Sequence, residues 1–386
     1  MKILHCCLAN FFVDNYNYQE NMLPAQNKAD GHDVKIIAST ETYLDNSVLG
    51  YVQEGSYNTA DGIPVLRLRY AKGLPHFIAK KIRAYNGVYG EIEKFGPDMI
   101  FFHGVQAWEL LTVAKYKKNN PAVQLFVDCH SDFNNSARTF ISRHILHRIF
   151  YRFVIKIAYS SIDKIYYVAN ETRNFLFKMY RLPKWKMAFL PLGGIVIDGE
   201  PYQEKRRRRR AELGIDDEDI LLCHSGKMDK LKRTGDLLDA MFMAKTEKLK
   251  LIIIGSLDDE TKDEILSKVE RDSRVKFLGW KYADELMEYL CACDLYVQPG
   301  SQSATMQNAI CCSAPVMLHP HMSHIVYLKG NGWTVRSTED MTRIFCEIAD
   351  NPTVLKQMSE NSHQLAKKYL DYKNLAKRLY EEVRKD

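Results

Sequence analysis

The feature that most constrains the fold is an alternation of short apolar runs with helical segments, which occurs twice along the chain. In the first half the apolar runs end in polar residues and cover residues 2–9, 34–38, 99–103, 125–129, 162–169 and 188–192. Short buried strands separated by helices are typical of a parallel sheet covered on both faces. The first half therefore predicts one doubly wound α/β domain.

The alternation restarts after the turn at residues 191–194. Apolar runs recur at residues 220–225, 249–255, 275–279, 295–299 and 314–318. A chain of 386 residues exceeds what one hydrophobic core usually serves. We therefore predict a second doubly wound domain, preceded by a polar linker at residues 198–210 and followed by a long amphipathic helix over residues 353–385.

Composition narrows the class of protein. The net charge is only +6, although residues 205–210 form a run of six cations. We expect this run to be a solvated loop or helix start, with anionic lipid as the alternative partner and no nucleic acid. The nine cysteines form no paired CxxC framework, which favours reduced thiols. No signal peptide and no membrane-spanning run are recognised in the sequence. We therefore expect a cytoplasmic protein, and the alternative is a protein attached peripherally to the inner membrane face.

The richest strand end in the second half lies at residues 224–234. Gly226 permits a tight turn, the cations Lys227 and Lys232 follow it, and a helix is expected to begin near Thr234. Lysines on a short loop together with a helix amino terminus can neutralise a diphosphate. A surface lysine cluster is the alternative interpretation of this stretch taken alone.

This stretch resembles family 4 glycosyltransferases. Gly226-Lys227 followed five positions later by Lys232 is similar to the family's Gly-Arg and Lys-Gly pattern, with Lys in place of Arg. Five more segments resemble family motifs in the right order, at residues 251–255, 275–280, 292–299, 312–316 and 331–335. The resemblance implies an α/β protein of two doubly wound, Rossmann-like domains that face a cleft, the GT-B architecture.

The resemblance also implies a glycosyltransferase that uses a nucleotide-diphosphate-sugar, UDP- or GDP-linked, in polysaccharide or glycoconjugate biosynthesis. Transfer is expected to retain configuration and to need no metal or other cofactor. The residues implied in catalysis are His130, Lys227 and Lys232. Those implied in donor binding are Gly226, Lys227, Lys232, Gly255, Trp280, Ser301, Gln302, Ser303 and Asn308.

The first half resembles the family less closely, through residues 1–5 and 30–34. We expect an acceptor-side domain at residues 1–190, a donor domain at 191–365 and a helix at 366–386 that packs back on the first domain. Candidate acceptor or sugar contacts are Tyr18, Glu20, His103, Asp132 and Asn134. Polar and aromatic residues replace the usual glycines at 15–21, where Asn17 as a helix N-cap is the alternative interpretation.

The sequence departs from the family at the two glutamates usually separated by seven residues. Residues 300–308 contain no carboxylate, and Asn308 stands at the position of the second glutamate. A helix that begins near Ala304 would still offer backbone N–H groups to phosphate or sugar oxygens. The departure keeps two alternatives open: a catalytically degenerate homologue that acts as a partner subunit or glycan-binding module, and a sugar-nucleotide epimerase.

Two further segments have alternative interpretations. His319, His321 and His324 have a spacing that could gather three imidazoles, but the resemblance places them in a loop that binds donor groups, so no metal is predicted. Residues 140–157 combine apolar, aromatic and basic side chains. They predict either an ordinary packed helix or an amphipathic helix at an anionic membrane surface, in which case a lipid-linked acceptor is expected in place of a soluble glycan.

Overall fold

A computed structural model describes residues 1–44 and 48–383 of the chain. Its contacts divide the chain into two compact units. Unit 1 contains Met1–Pro191 together with the C-terminal segment that begins at Leu375, and unit 2 contains Leu192–Asn374. Within the described residues, no helix is long and apolar enough to cross a bilayer.

Unit 1 is built on an eight-stranded sheet with the order β10-β9-β8-β7-β1-β2-β6-β5. All neighbouring strands are parallel except β5 and β6, and β3 pairs with β4 in a separate antiparallel ladder. The strands are β1 Lys2–Cys7, β2 Asp33–Ser39, β3 Glu41–Leu44, β4 Val48–Tyr51, β5 Gly55–Asn58, β6 Pro64–Leu68, β7 Met99–Phe102, β8 Gln124–Cys129, β9 Lys164–Tyr167 and β10 Met187–Phe189.

Helices cover both faces of this sheet, because the central strands are apolar on both sides and must be buried on both. The helices are α1 Gln19–Ala29, α2 His76–Ile82, α3 Val88–Phe95, α4 Glu109–Asn119, α5 Arg152–Ala158 and α6 Asn170–Phe175. A π-helical stretch, Ser142–Tyr151, leads directly into α5. The N-cap of α1 is Tyr18, so the alternative that made Asn17 the cap is wrong.

Unit 2 is built on a six-stranded, wholly parallel sheet with the order β13-β12-β11-β14-β15-β16. Its strands are β11 Ile220–Met228, β12 Leu249–Leu257, β13 Val275–Phe277, β14 Leu295–Gln298, β15 Val316–Leu318 and β16 Gly332–Thr334. Its helices are α7 Gly199–Leu213, α8 Thr234–Met243, α9 Lys262–Glu270, α10 Ala283–Ala292, α11 Thr305–Cys311, α12 Met322–Ile325, α13 Thr338–Asp350 and α14 Thr353–Tyr369. Helix α15, Tyr372–Val383, begins in unit 2 and continues in unit 1.

The two doubly wound α/β units confirm the predicted fold class. The polar linker predicted at residues 198–210 is wrong, because this stretch is the fifteen-residue helix α7. Arg206 and Arg210 both pair with Asp294, at 2.5 and 2.9 Å, and Arg209 pairs with Glu288 at 2.7 Å. Most of the run of cations is therefore held against α10 and the start of β14, within a helix and not in a loop, whereas Arg207 stays exposed and lies 4.0 Å from Glu200 of the same helix.

The C-terminal region differs from the single long helix predicted for residues 353–385. Helix α14 ends at Tyr369, and α15 begins at Tyr372, with Asp371 forming an isolated parallel bridge to Gly194 between them. The last two residues of the predicted helix, Arg384 and Lys385, lie outside the described residues.

Candidate functional site

The carboxyl ends of the parallel strands in unit 2 meet around β11 and β14. These two strands are neighbours, although they are separated in sequence by β12 and β13, so the strand order reverses here. Such a switch point leaves a crevice in which open α/β sheets bind ligands. The predicted donor residues Gly226 and Ser301 lie at this edge, Gly226 near the end of β11 and Ser301 in the loop after β14.

Gly226 and Gly255 let two neighbouring strands approach closely. Strand β11 continues through Gly226 to Met228, so Gly226 lies inside the strand and not in the turn expected after it. Gly226 pairs with Gly255, and a Cβ added to Gly255 would lie 1.8 Å from the carbonyl oxygen of Gly226. The φ angles are +137° at Gly226 and +144° at Gly255, a region that favours glycine. Both positions therefore require glycine for structural reasons.

Lys232 connects the turn after β11 to the loop after β14. Its Nζ donates to the carbonyl oxygens of Ser301 and Gln302, at 3.2 and 2.9 Å. The residue is buried, and its Cε lies over Gly226, where a Cβ would be 3.3 Å away. Burial lowers the pKa of Lys232, with Asp229 opposing that effect. The structure thus brings Lys232 together with the predicted residues Ser301 and Gln302.

Lys227 has a different environment from Lys232. Its side chain is exposed, and its Nζ lies 3.1 Å from Asp258, whose hydrogen bond raises the pKa of the lysine. An exposed ammonium can exchange a surface carboxylate for a ligand anion at little cost, because water screens the attraction between surface charges. Lys227 therefore remains available at the same sheet edge.

The other predicted donor residues lie around this edge at different depths. Trp280 follows β13 with 63% of its surface exposed, and the backbone N–H of Gly255 donates to the Gly279 carbonyl beside it. Gln302 donates its Nε2 to the hydroxyl of Ser323. Ser303 bonds to Thr305 at 3.1 Å, while Asn308 lies in α11 near Gly194.

The three histidines after β15 contact one another through their rings. The ring centroids of His319 and His321 are 4.7 Å apart, and those of His321 and His324 are 5.1 Å apart. His324 donates Nδ1–H to the carbonyl of His319 at 2.7 Å, and burial lowers the pKa of His324 to about 4. Among residues 1–44 and 48–383, no group of three or more His, Cys, Asp or Glu side chains is arranged for a metal ion.

Unit 1 has its own switch point, at β1 between β2 and β7. His130 follows β8 at this edge, and its Nε2 lies 3.2 Å from Oδ2 of the fully buried Asp128. Burial is the largest single influence and lowers the pKa of His130, but the close carboxylate of Asp128 together with the charge of Glu20 outweighs it and raises the pKa to about 9. The predicted contact Glu20 is buried nearby on α1 and accepts a hydrogen bond from Asn10 at 2.9 Å.

His103, a predicted sugar contact, lies inside the unit. It is fully buried, and its two ring nitrogens lie 3.0 Å from His5 and 3.0 Å from Asp128. Both of its polar atoms are occupied by protein groups, so the geometry gives His103 a supporting place behind Asp128 and not a surface contact.

The remaining predicted contacts are on the surface of unit 1. Tyr18 is half exposed and packs edge-on against Tyr16, with ring centroids 5.1 Å apart. Asp132 accepts the backbone N–H groups of Asn134 and Asn135, at 2.7 and 2.9 Å, which fixes the loop after His130. Asp132 and Asn134 therefore shape the loop that carries His130.

Sequence reasoning missed His5, Asn27 and His224. His5 bonds through Nε2 to Asn27 at 2.8 Å, and His224 spans Val297 and Thr234, at 2.7 and 3.0 Å. Each histidine is fully buried in a strand. A polar residue inside an apolar strand run was the available signal, since a buried imidazole needs partners.

An exposed row of apolar side chains lies on the π-helical stretch and α5. We call it the apolar ridge; it consists of Phe140, Ile141, Ile145, Ile149, Phe153 and Ile157, whose exposed fractions range from 44% to 74%. A basic row one position away runs parallel to it and consists of His144, Arg148, Arg152 and Lys156. The opposite side of the same helix, including Tyr151 and Ile155, packs into the core. The helix is therefore packed and amphipathic at once.

Comparison with known proteins identifies the second half of the chain. Residues 205–365 match the family model described as Glycosyl transferases group 1. Over this stretch the chain is similar to the group 1 glycosyltransferases, and we call it the group 1 domain. It contains the Lys232 turn, the 300–308 segment and the three histidines, so the candidate donor site lies within the matched region.

A curated relative is the alpha-galactosylglucosyldiacylglycerol synthase of Streptococcus pneumoniae (strain ATCC BAA-255 / R6). It is 24% identical over 203 residues, which cover 49% of this chain and 52% of the synthase. The match therefore spans about half the length of that relative. Its name describes an enzyme that makes a glycolipid.

Solved glycosyltransferase structures share the fold over nearly the whole chain. Anabaena HepE in complex with UDP has a TM-score of 0.65 at 15% identity, covering 99% of both chains. A glycosyltransferase from Rickettsia africae ESF-5 has a TM-score of 0.69 at 12% identity, covering 100% of this chain and 99% of its own. These structures confirm the predicted GT-B fold, and the group 1 domain is its second unit.

Proposed function

We propose that this protein transfers a sugar from a nucleotide-diphosphate-sugar to an acceptor, with the donor bound by the group 1 domain. The observation that carries the proposal is the convergence of Gly226, Lys232 and the loop of Ser301 and Gln302 at the switch point of unit 2. A buried cation beside closely approaching backbone is suited to a diphosphate, which needs neutralising charge and room near the main chain.

In this proposal Lys232 and Lys227 neutralise the departing diphosphate. Lys232 is already desolvated by its protein surroundings, so its charge acts at short range in a medium of lower dielectric constant. Lys227 adds a second, exposed charge once it leaves Asp258. The donor is proposed to be UDP-linked, supported by the UDP bound in the HepE structures, with a GDP-linked donor as the alternative outcome.

The stereochemistry and the cofactor requirement are further parts of the proposal. Residues 300–308 supply hydroxyl and amide groups but no carboxylate, so that segment offers no carboxylate nucleophile. We propose that transfer retains the configuration of the sugar and needs no metal. Lys227 and Lys232 would neutralise the diphosphate charge that a divalent cation neutralises in metal-dependent enzymes. Activity that survives excess EDTA and an NMR assignment of the product anomer would support both parts.

The acceptor is proposed to be lipid-linked and reached at an anionic membrane surface, through the apolar ridge and its basic row. Residues 133–162 contain five lysines and arginines and no aspartate or glutamate. A helix with exposed apolar side chains next to a row of basic residues complements the interface of an anionic bilayer. The glycolipid-synthase relative supports this choice over a soluble glycan.

Vesicle binding tests the membrane proposal. The double variant Ile145→Glu/Ile149→Glu should bind phosphatidylglycerol-containing vesicles far more weakly than the wild type, whereas Phe242→Glu, an exposed apolar site in unit 2, should not. The double variant Arg148→Gln/Arg152→Gln should bind the same vesicles about 30-fold more weakly, because each basic residue near such a surface contributes about 1 kcal/mol to the binding free energy. Equal binding of all variants to these vesicles would contradict the proposed surface. Equally strong binding of the wild type to vesicles of pure phosphatidylcholine would also contradict it.

Nucleotide release tests the transfer itself. The wild type is incubated with a panel of UDP- and GDP-sugars, with and without a membrane lipid extract, and free nucleotide is measured alongside thermal stabilisation by each nucleotide. Release that depends on the extract is expected. If no nucleotide of the panel raises the thermal stability of the protein, donor binding in the group 1 domain is refuted.

A catalytically degenerate homologue is the second candidate, and the missing carboxylates at residues 300–308 favour it. It predicts nucleotide binding without release under every acceptor condition. An epimerase would instead release nothing but convert one nucleotide-sugar into another, which chromatography of the recovered donor would detect.

A further inference from the structure

A chain of buried polar groups crosses unit 1 behind His130. Asp128 lies 3.0 Å from Nδ1 of His103, whose Nε2 lies 3.0 Å from Nδ1 of His5. Nε2 of His5 lies 2.8 Å from Oδ1 of Asn27. The chain continues through Nδ2 of Asn27 to the hydroxyl of Tyr380, at 2.6 Å, which itself reaches Asp30 at 2.9 Å. The groups of the chain thus link the carboxyl end of β8 to an exposed carboxylate.

The direction of these hydrogen bonds is fixed from the exposed end. An ionised Asp30 only accepts, so the Tyr380 hydroxyl must donate to it and must accept from Asn27. The amide of Asn27 therefore presents its Nδ2 to Tyr380 and its oxygen to His5. Reversing the amide would place two acceptors against each other at 2.6 Å, because tyrosine has a single hydroxyl hydrogen.

The same reasoning continues to His103. His5 must carry its hydrogen on Nε2 to donate to Asn27, and burial lowers the pKa of His5 to about 3, which leaves Nδ1 as an acceptor. His103 must then donate from Nε2 to His5. The other nitrogen of His103 faces a carboxylate oxygen, so a proton is also required there. His103 therefore donates from both nitrogens, which an imidazolium does and a neutral imidazole cannot.

The proton between His103 and Asp128 is assigned to the imidazole, because His130 and His103 hold the pKa of the Asp128 carboxyl well below its ordinary value although burial opposes this. The two oxygens of Asp128 are fully used in this arrangement. Oδ1 accepts the backbone N–H of Gly104 at 2.7 Å, and Oδ2 faces His103 and, 3.2 Å away, Nε2 of His130. His103 and Asp128 thus form a buried ion pair directly behind the exposed edge.

We propose that Asp128, held by His103, is a positioning residue that fixes His130 as an imidazolium with Nε2 turned inward and Nδ1–H available to a ligand oxygen. His130 has only two nitrogens, and Nε2 is buried 3.2 Å from Oδ2 of Asp128, an ionic contact that lacks the geometry of a hydrogen bond. A charged imidazole in this orientation is a donor of hydrogen bonds and never an acceptor. The partner it suits is an anionic or hydroxyl oxygen, and it disfavours a cationic one.

The surrounding groups agree with this charge state. The titratable groups near Asp128 and His130 are His5 and Cys7 of β1, Glu20 of α1, His103 after β7, and Cys129 and Asp132 on their own segment. Burial opposes ionisation of Asp128, but His130 and His103 hold its pKa well below the ordinary value. The carboxylate of Glu20 acts on His130 in the same direction as Asp128.

This inference rests on the proposed function for the identity of the ligand, which is an anionic or hydroxyl oxygen of a substrate of the transfer, but not for the charge of His130. The charge is tested in the free protein by NMR with ¹³C-labelled histidine, the His130 signal being assigned by its loss in His130→Gln. We expect the His130 midpoint near pH 9 in the wild type and close to the ordinary value of about 6.5 in Asp128→Asn.

Asp163→Asn is the matched control, because Asp163 accepts the backbone N–H of Leu125 at the opposite end of β8. It should leave the His130 midpoint unchanged. A wild-type midpoint at or below about 6.5 would overturn the proposal even if Asp128→Asn does not fold. An unchanged midpoint in a folded Asp128→Asn would overturn it equally.

The pH profile of nucleotide release separates the positioning role from a purely structural one. With a His130 pKa near 6.5, the protonated fraction falls about 25-fold between pH 6 and pH 8, whereas with a pKa of about 9 it is almost constant. In Asp128→Asn the rate of nucleotide release should therefore fall about 25-fold between pH 6 and pH 8, whereas the wild-type rate should stay almost constant over the same pH range. A uniform loss at all pH values would indicate structural damage only. Absence of nucleotide binding would instead count against the proposed function and leave the NMR result standing.

Discussion

Replacing Lys232 with methionine tests the centre of the proposed donor site. Methionine keeps most of the buried aliphatic volume over Gly226 but removes the ammonium that donates to Ser301 and Gln302, at 3.2 and 2.9 Å. The turn after β11 and the loop after β14 then lose their charged connection. Since that ammonium is the buried cation of the site, the variant should affect binding of the diphosphate specifically.

The magnitude follows from the kind of contact that is lost. Hydrogen bonds that involve a charged group contribute about 1.5–3 kcal/mol each, more than neutral ones. Loss of one such contact to a diphosphate oxygen corresponds to a Kd for UDP that is roughly 10- to 150-fold weaker. Uridine has no phosphate, so its Kd should change by no more than about threefold, a few tenths of a kcal/mol.

Isothermal titration of UDP and uridine into wild type and variant measures both numbers. Lys230→Met is the matched control, because Lys230 lies in the same short turn but is exposed and pairs only with Glu260, at 3.2 Å. The control should bind both ligands as the wild type does. Equal losses of UDP and uridine affinity in Lys232→Met would refute the assigned role and indicate that the loop itself had been displaced.

Two further predictions concern the fold that supports the site. Gly255→Ala should destabilise unit 2 by several kcal/mol, measured by urea unfolding, because its Cβ would lie 1.8 Å from the Gly226 carbonyl; Gly279→Ala, with φ of +69° and open space, should cost only about 1–2 kcal/mol. Similar losses for both would contradict the close strand approach. Of the nine cysteines, all within described residues, Cys346 alone is exposed, so a thiol reagent should rapidly modify one thiol per native chain. Rapid modification of a second thiol would show that a buried strand or helix opens.

Much of the fold could be predicted because strands buried on both faces leave continuous apolar runs. The predicted runs at 34–38 and 125–129 differ from β2 and β8 by one residue at most at each end. Helix α7 could not be predicted in the same way, because its arginines look solvated until their partners are known. Those partners, Glu288 and Asp294, are about eighty residues further along the chain.

The candidate site was predictable to the extent that spacing along one segment determines it. The turn from Gly226 to Lys232 is local, and its position after a strand follows from the pattern. Its contacts with Ser301 and Gln302 depend on β14 lying next to β11, a strand order that a single sequence does not reveal. The Asp128 network depends similarly on β1, β7 and β8 lying side by side, which brings His5 next to His103.

The two units meet the same electrostatic requirement by opposite means. In unit 2 the buried ammonium of Lys232 is balanced by backbone carbonyls, and residues 300–308 add no carboxylate that would repel an anion. In unit 1 a carboxylate is present, but it lies behind His130 and is already paired with His103. In the two proposals each switch point therefore presents a positive group to a ligand, the Lys232 ammonium in unit 2 and the His130 imidazolium in unit 1. A nucleotide-diphosphate-sugar is an anion, and the proposed site in unit 2 favours such a ligand over a neutral glycan. High salt should accordingly weaken binding of UDP more than that of uridine, and the difference should shrink in Lys232→Met.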